Sequence, residues 1–143
     1  MSATMSRNGL EACELVSLAV RGDDRGSLIA LESDTVDVGF PIARVYYIYG
    51  TVPGVERGFH AHRVLKQLAI AVSGSCTMRL DDGRETRNVR LDRPDVGLTI
   101  GPMVWREMSD FSDDCVLLVM ASAHYDEADY IRDYATFKKL TGQ

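Results

Sequence analysis

A chain of 143 residues with a formal net charge of −5 has the length of one domain, and its acidic balance argues against a nucleic-acid surface. Hydrophobic residues make up 45% and charged residues 26%, the composition of a globular protein able to bury a core. No apolar run approaches the ~20 residues of a membrane span, and the polar stretch 1–9 lacks the apolar centre of a secretory signal, so a cytoplasmic protein with no membrane partner is expected.

Residues 1–12 are expected to be a flexible N-terminal segment, 13–125 a β-barrel and 126–143 a C-terminal helix packed on it. Short strands separated by turn signals are predicted at 14–20, 27–32, 42–49, 58–63, 67–73, 76–81, 85–91, 96–100, 104–108 and 115–121, the pattern of an all-β sandwich or barrel. Asp82-Gly83 predicts a two-residue hairpin turn. Alternation along 76–81 turns Cys76, Met78 and Leu80 inward and Thr77, Arg79 and Asp81 to water. The apolar run 116–120 predicts a strand buried on both faces. From Asp126 on, Ala128, Ile131, Tyr134, Phe137 and Leu140 recur at spacings of three, which predicts an amphipathic helix with Asp126 as N-cap and Gly142 just past its end. Cys13, Cys76 and Cys115 sit in apolar patterns, as buried reduced thiols do.

The segment 57–67, Arg-Gly-Phe-His-Ala-His-Arg-Val-Leu-Lys-Gln, carries two of the three histidines one residue apart. On a strand, His60 and His62 share a face. A lone histidine is more often structural, but a same-face pair is a candidate for proton transfer or metal binding. Arg44, Arg57, Arg63 and Lys66 lie on or beside the bracketing strands, where guanidinium groups suit a diphosphate. Tyr46, Tyr47, Tyr49 and Trp105 offer rings for stacking. Each has an ordinary alternative, since surface arginines are usually solvated and strand aromatics usually fill a core.

The spacing Gly54-x5-His60-x-His62-x4-Gln67-x6-Gly74 resembles the first signature of the cupin superfamily, which implies a jelly-roll (double-stranded β-helix) barrel. Gln67 replaces the glutamate that usually completes a metal site there. The position of the second signature's histidine holds Val104-Trp-Arg-Glu-Met, although Glu107 would complete a two-histidine, one-carboxylate set. Acid–base chemistry without a metal is therefore the leading expectation.

Beyond the superfamily, an ordered series of strings is similar to the nucleotide-sugar 3,4-ketoisomerases. It comprises Asp24-Arg-Gly-Ser-Leu, Arg44-Val-Tyr-Tyr-Ile-Tyr, Arg57-Gly-Phe-His-Ala-His-Arg, Gly74-Ser-Cys, Leu80-Asp-Asp-Gly, Gly97-Leu-Thr-Ile-Gly-Pro, Trp105, Met108-Ser-Asp-Phe-Ser and Tyr125-Asp-Glu-Ala-Asp-Tyr-Ile-Arg. The resemblance implies a homodimer acting on dTDP-4-keto-6-deoxy-D-glucose with no metal or redox cofactor. It would move the keto group from C4 to C3 for deoxyaminosugar biosynthesis, in lipopolysaccharide or an antibiotic. It casts His60 as the base at C3 and His62 as the carrier of a proton between the C3 and C4 oxygens. It also makes Arg57, Tyr46 and Tyr47 nucleotide or diphosphate contacts and gives Gln67 an orienting role. Arg44, Arg63, Trp105 and Arg106 complete the expected substrate-binding set, with Trp105-Arg106 at the barrel mouth a candidate for C4 stereochemistry. Competing expectations are a sugar-nucleotide 3,5-epimerase, a non-catalytic sugar-binding cupin and a metal-dependent oxygenase.

Overall fold

The computed structural model describes residues 9–142. Its strands are β1 (Leu15–Ser17), β2 (Arg21–Asp23), β3 (Gly26–Leu28), β4 (Arg44–Ile48), β5 (Arg57–His62), β6 (Gln67–Ser73), β7 (Cys76–Asp81), β8 (Thr86–Leu91), β9 (Val96–Ile100), β10 (Trp105–Ser109), β11 (Val116–Ala121) and β12 (Tyr130–Ile131). One helix, α1 (Tyr134–Leu140), follows them. Two antiparallel sheets run in the orders β1-β9-β6-β11-β4 and β12-β5-β10-β7-β8, with β2-β3 a separate hairpin. From β4 onward the chain passes between the sheets at nearly every step, so sequence neighbours face one another across the interior. This is the expected jelly-roll barrel.

Period-two alternation fills the barrel. Cys76, Met78 and Leu80 point inward against Val89, Leu91, Leu98, Leu117 and Val119, each large side chain contributing about 1.5–3 kcal/mol of burial. The outer face of the first sheet is covered by the segment 18–42, where Leu18, Val38 and Phe40 pack on Leu68, Ile70 and Met120. The outer face of the second is covered by the tail, where Phe137 and Ile131 pack on Trp105 and Ala61. In β11, Leu117 faces the interior and Met120 the outer layer, but Val116 and Leu118 are only half-buried. Burial on both faces therefore holds for the second half of that strand alone. Cys13, Cys76 and Cys115 are all buried free thiols.

Several boundaries differ from expectation. The first predicted strand shrinks to β1, because Leu18 leaves the ladder and donates its N–H to the Asp95 carbonyl. Of the strand expected at 27–32 only Ser27 and Leu28 are extended, as the end of the exposed hairpin β2-β3. Asp82 and Glu85 flank the next turn, which places Gly83-Arg84 at the tip, one residue later than predicted. Gly83 has φ +93°, and a Cβ there would meet Thr141 at the end of α1. Asp81 is buried and accepts from the Tyr134 hydroxyl at 2.6 Å, so the tail has removed it from water.

The tail itself is not one helix. Asp126 caps only a 3-10 turn, Glu127–Asp129, and accepts from the Ala128 N–H. Tyr130 and Ile131 then pair with His62 and Ala61 of β5. The helix starts afresh with Asp133 as its N-cap and ends before Gly142. At the other end, the expected flexible segment lies outside the described residues as far as residue 8. Gly9–Ala12 is a 3-10 turn with Leu10 buried, tied to the body by the Arg87 guanidinium, which donates to the Leu10 and Cys13 carbonyls. Among the described residues, no helix is long and apolar enough to cross a membrane.

Candidate active site

A bulge in β5 decides which side chains share the interior. Arg106 pairs with His60 and Glu107 with Gly58, so Phe59 is an extra residue with no partner on β10. Gly58 and Phe59 both have positive φ, +93° and +60°, a backbone region that glycine enters freely and a side chain such as Phe rarely does. A Cβ at Gly58 would stand 2.9 Å from the Arg106 carbonyl. The insertion shifts alternation by one position: Arg57 now lies opposite Met108, whose side chain is in the interior core. Arg57 and His60 therefore share a face, which strict alternation forbids.

One part of the barrel interior is apolar and the other polar. In the polar part Gln67, 3% exposed, donates from Nε2 to the Tyr46 hydroxyl at 2.9 Å and accepts at Oε1 from Arg106. The Arg106 guanidinium, also 3% exposed, otherwise donates only to the Val104 carbonyl, and no carboxylate pairs with it among the described residues. A buried cation without an anion is costly and places positive potential in the cavity. Burial raises the Tyr46 pKa, so its phenol stays protonated.

His60 and His62 stand edge to face, ring centroids 4.9 Å apart. Burial first, and then the Arg106 charge, push His60 down to about 4. The same two causes and the neighbouring ring push His62 down to about 3. Both imidazoles are therefore neutral near pH 7 and able to accept a proton.

The tail supplies residues that the sequence reading missed. Asp129 Oδ2 lies 3.0 Å from His62 Nδ1. The Tyr130 ring packs against both imidazoles, at 5.0 Å from His60 and 4.4 Å from His62. Arg132 lies over that ring at 4.1 Å and forms a two-pronged ion pair with Glu127. The signal available in the sequence was Asp126 and Asp133, two capping residues inside what reads as a single helix. Arg44, on the edge strand β4, lies over the rings of Tyr46 and Tyr125, and its Nε has no hydrogen-bond partner among the described residues. It lines a cavity of about 50 Å³ with His62, His124, Asp129 and Tyr130. A larger cavity of about 1000 Å³, bounded by Glu14, Phe40, Lys66 and Met103, meets the histidine site only through Gln67.

Three residues of the expected substrate-binding set, together with Glu107, are elsewhere. Tyr47 alternates to the outside of β4, where it is 61% exposed and packs on Tyr49. Trp105 lies beneath α1 against Tyr134 and Phe137, with its indole N–H on Glu107. That bond and the pairing with Arg79 fix Glu107 on the outer face, so it does not complete a two-histidine, one-carboxylate set. Arg63 is exposed beyond the end of β5. Arg106 is in the interior and not at a mouth. Among the described residues, no three His, Cys, Asp or Glu side chains are grouped to share a metal ion.

Comparison with known proteins adds to this geometry. The FdtA family (WxcM-like, C-terminal) matches residues 11–142. A TDP-4-oxo-6-deoxy-alpha-D-glucose-3,4-oxoisomerase of Aneurinibacillus thermoaerophilus is 53% identical over 117 residues, covering 82% of this chain and 84% of the relative. The crystal structure of a 3,4-ketoisomerase from Helicobacter canadensis superimposes with a TM-score of 0.88 at 45% identity, over 92% of this chain and 98% of that one. A histidine-to-asparagine variant of the 3,4-ketoisomerase QdtA from Thermoanaerobacterium thermosaccharolyticum, in complex with TDP-4-keto-6-deoxyglucose, gives 0.88 at 42% identity over 91% and 94%.

Proposed function

The chain belongs to the FdtA (WxcM-like) family, and from its site we infer that it is a nucleotide-sugar 3,4-ketoisomerase acting on TDP-4-keto-6-deoxyglucose. One observation carries the chemistry: two neutral imidazoles share one interior with a buried guanidinium that forms no ion pair among the described residues. A hydrogen beside a carbonyl is acidic enough for a positioned base to remove. His60 takes the C3 proton, and the electron pair moves onto the C4 oxygen to give an enediolate. Arg106 and a histidine N–H stabilise that negative charge in a dry cavity. His62 carries the proton from the C3 oxygen to the C4 oxygen, and protonation at C4 leaves the ketone at C3. Each positioned transfer contributes about 10²–10⁴-fold. Gln67 holds Arg106 and Tyr46 in place, while Arg44 and Arg57 suit the diphosphate. The ~50 Å³ cavity beside His62 is too small for a nucleotide sugar, so binding there would displace the Arg44 side chain that lines it.

NMR of the product formed from TDP-4-keto-6-deoxyglucose tests this reading. A 3-keto sugar is expected, and recovery of unchanged substrate refutes it. Tyr130 against both histidines is the observation that favours a 3,5-epimerase. In deuterated water an epimerase labels C3 and C5, whereas the isomerase labels C3 or C4 and moves the ketone. His60→Ala and His62→Ala are each expected to abolish migration while TDP affinity stays within about threefold, the loss expected when only a proton-transfer group is removed.

The homodimer reading is supported by β4, an edge strand whose outer face exposes Val45, Tyr47 and Tyr49. The hairpin β2-β3 supports it too, since a lone two-stranded hairpin is marginal in water. A cytoplasmic setting suits the three free thiols, and the 3-keto product suits amination toward a deoxyaminosugar of lipopolysaccharide or an antibiotic.

A further inference from the structure

We propose that Asp129 is a positioning residue that holds His62 as the tautomer protonated on Nδ1, so that Nε2 is bare and free to receive the sugar's proton. The inference rests on the ketoisomerase reading for its catalytic consequence, but its structural half stands on hydrogen bonds alone. Asp129 Oδ2 lies 3.0 Å from His62 Nδ1, and an ionised carboxylate can only accept. A neutral imidazole in that contact must therefore carry its hydrogen on Nδ1.

The carboxylate cannot easily turn away. Its other oxygen, Oδ1, accepts the Val64 N–H at 2.8 Å, and its backbone carbonyl accepts the Arg63 N–H at 2.9 Å. Asp129 is thus clamped to the segment that leaves β5, directly after His62. The pairing of Tyr130 with His62 in the β12–β5 ladder presses the Tyr130 ring against the imidazole from the side. His62 is held at one nitrogen by charge and along one face by packing.

Among the described residues no carboxylate is hydrogen-bonded to His60, and this separates the two imidazoles chemically. When His62 picks up a proton from one sugar oxygen, the resulting imidazolium is already paired with Asp129. It can hold the proton long enough to deliver it to the neighbouring oxygen. His60, which gains no such pair, returns its proton readily to carbon. The two roles follow from one carboxylate held against His62.

Asp129→Asn separates positioning from folding. The amide oxygen can keep the Val64 N–H, which presents the –NH₂ group to His62 Nδ1 and forces the hydrogen onto Nε2. Two-dimensional ¹H–¹⁵N spectra of the histidine side chains near pH 7 should show Nδ1–H for His62 in the wild-type protein and Nε2–H in the variant. The variant's kcat should fall by about 10²–10⁴-fold, the range for a displaced acid–base group, with KM and TDP affinity within about threefold. An Nε2–H signal for wild-type His62 overturns the proposal, and so does a folded variant with unchanged kcat. If Asp129→Asn fails to fold, the wild-type spectrum alone decides the tautomer. If the wild-type protein shows Nδ1–H but does not isomerise TDP-4-keto-6-deoxyglucose, the ketoisomerase reading has failed and the tautomer assignment has not.

Discussion

Acid should weaken this fold earlier than carboxylate protonation would. His60 and His62 titrate near 6.5 in an unfolded chain, but burial and Arg106 hold them at about 4 and about 3 in the native state. The unfolded state therefore binds more protons throughout the interval from pH 6.5 down to about 4, and stability falls as pH falls across it. Each group contributes about 1.4 kcal/mol per pH unit within that window. At pH 5 that is about 2 kcal/mol for each ring, trimmed for His60, which keeps some contact with solvent. Together they cost roughly 3–4 kcal/mol, a large part of the ~5–15 kcal/mol that a domain of this kind has. Urea unfolding at about pH 7, 6 and 5, with an unchanged m-value, measures the effect. A loss under about 1 kcal/mol at pH 5 would refute the reasoning, as would a slope that persists in a His60→Asn/His62→Asn double variant.

Three further outcomes follow from the geometry. Gly58→Ala forces a Cβ to within 2.9 Å of the Arg106 carbonyl at φ +93°; thermal unfolding should show a loss of about 1–3 kcal/mol, and kcat/KM should drop as Arg57 leaves the face of His60. Arg106→Met removes a charge that lowers both histidines, so the acid limb of the kcat–pH profile should move to higher pH; an unmoved limb would show that burial alone sets their titration. Phe137→Ala empties a fully buried position beneath the second sheet and should cost about 3–5 kcal/mol in denaturant titration.

The barrel was legible because period-two alternation is a local property. Cys76, Met78 and Leu80 needed only their own strand to declare an inner face. His60 and His62 were legible for the same reason, and Gly58 signalled the bulge that brings Arg57 round. Tyr46 and Tyr47 show the limit of that reading, since neighbours on a strand face opposite ways and only pairing tells which is inside. Trp105 was lost to the outer face because α1 covers the sheet there, a contact between segments about thirty residues apart. The tail misled most. Spacings of three run unbroken from Ala128 to Leu140, but pairing with β5 outweighs helix propensity at Tyr130-Ile131. Asp129 and Tyr130 were missed as site residues for this reason: their partners lie nearly seventy residues away.

That distance has a consequence for how the site is completed. The strands up to β11 supply most of the barrel, yet without the tail His62 lacks its carboxylate and its aromatic wall. Both arrive through the pairing of residues 130–131 with β5. The site thus depends on a closure between distant segments that the barrel strands alone do not supply.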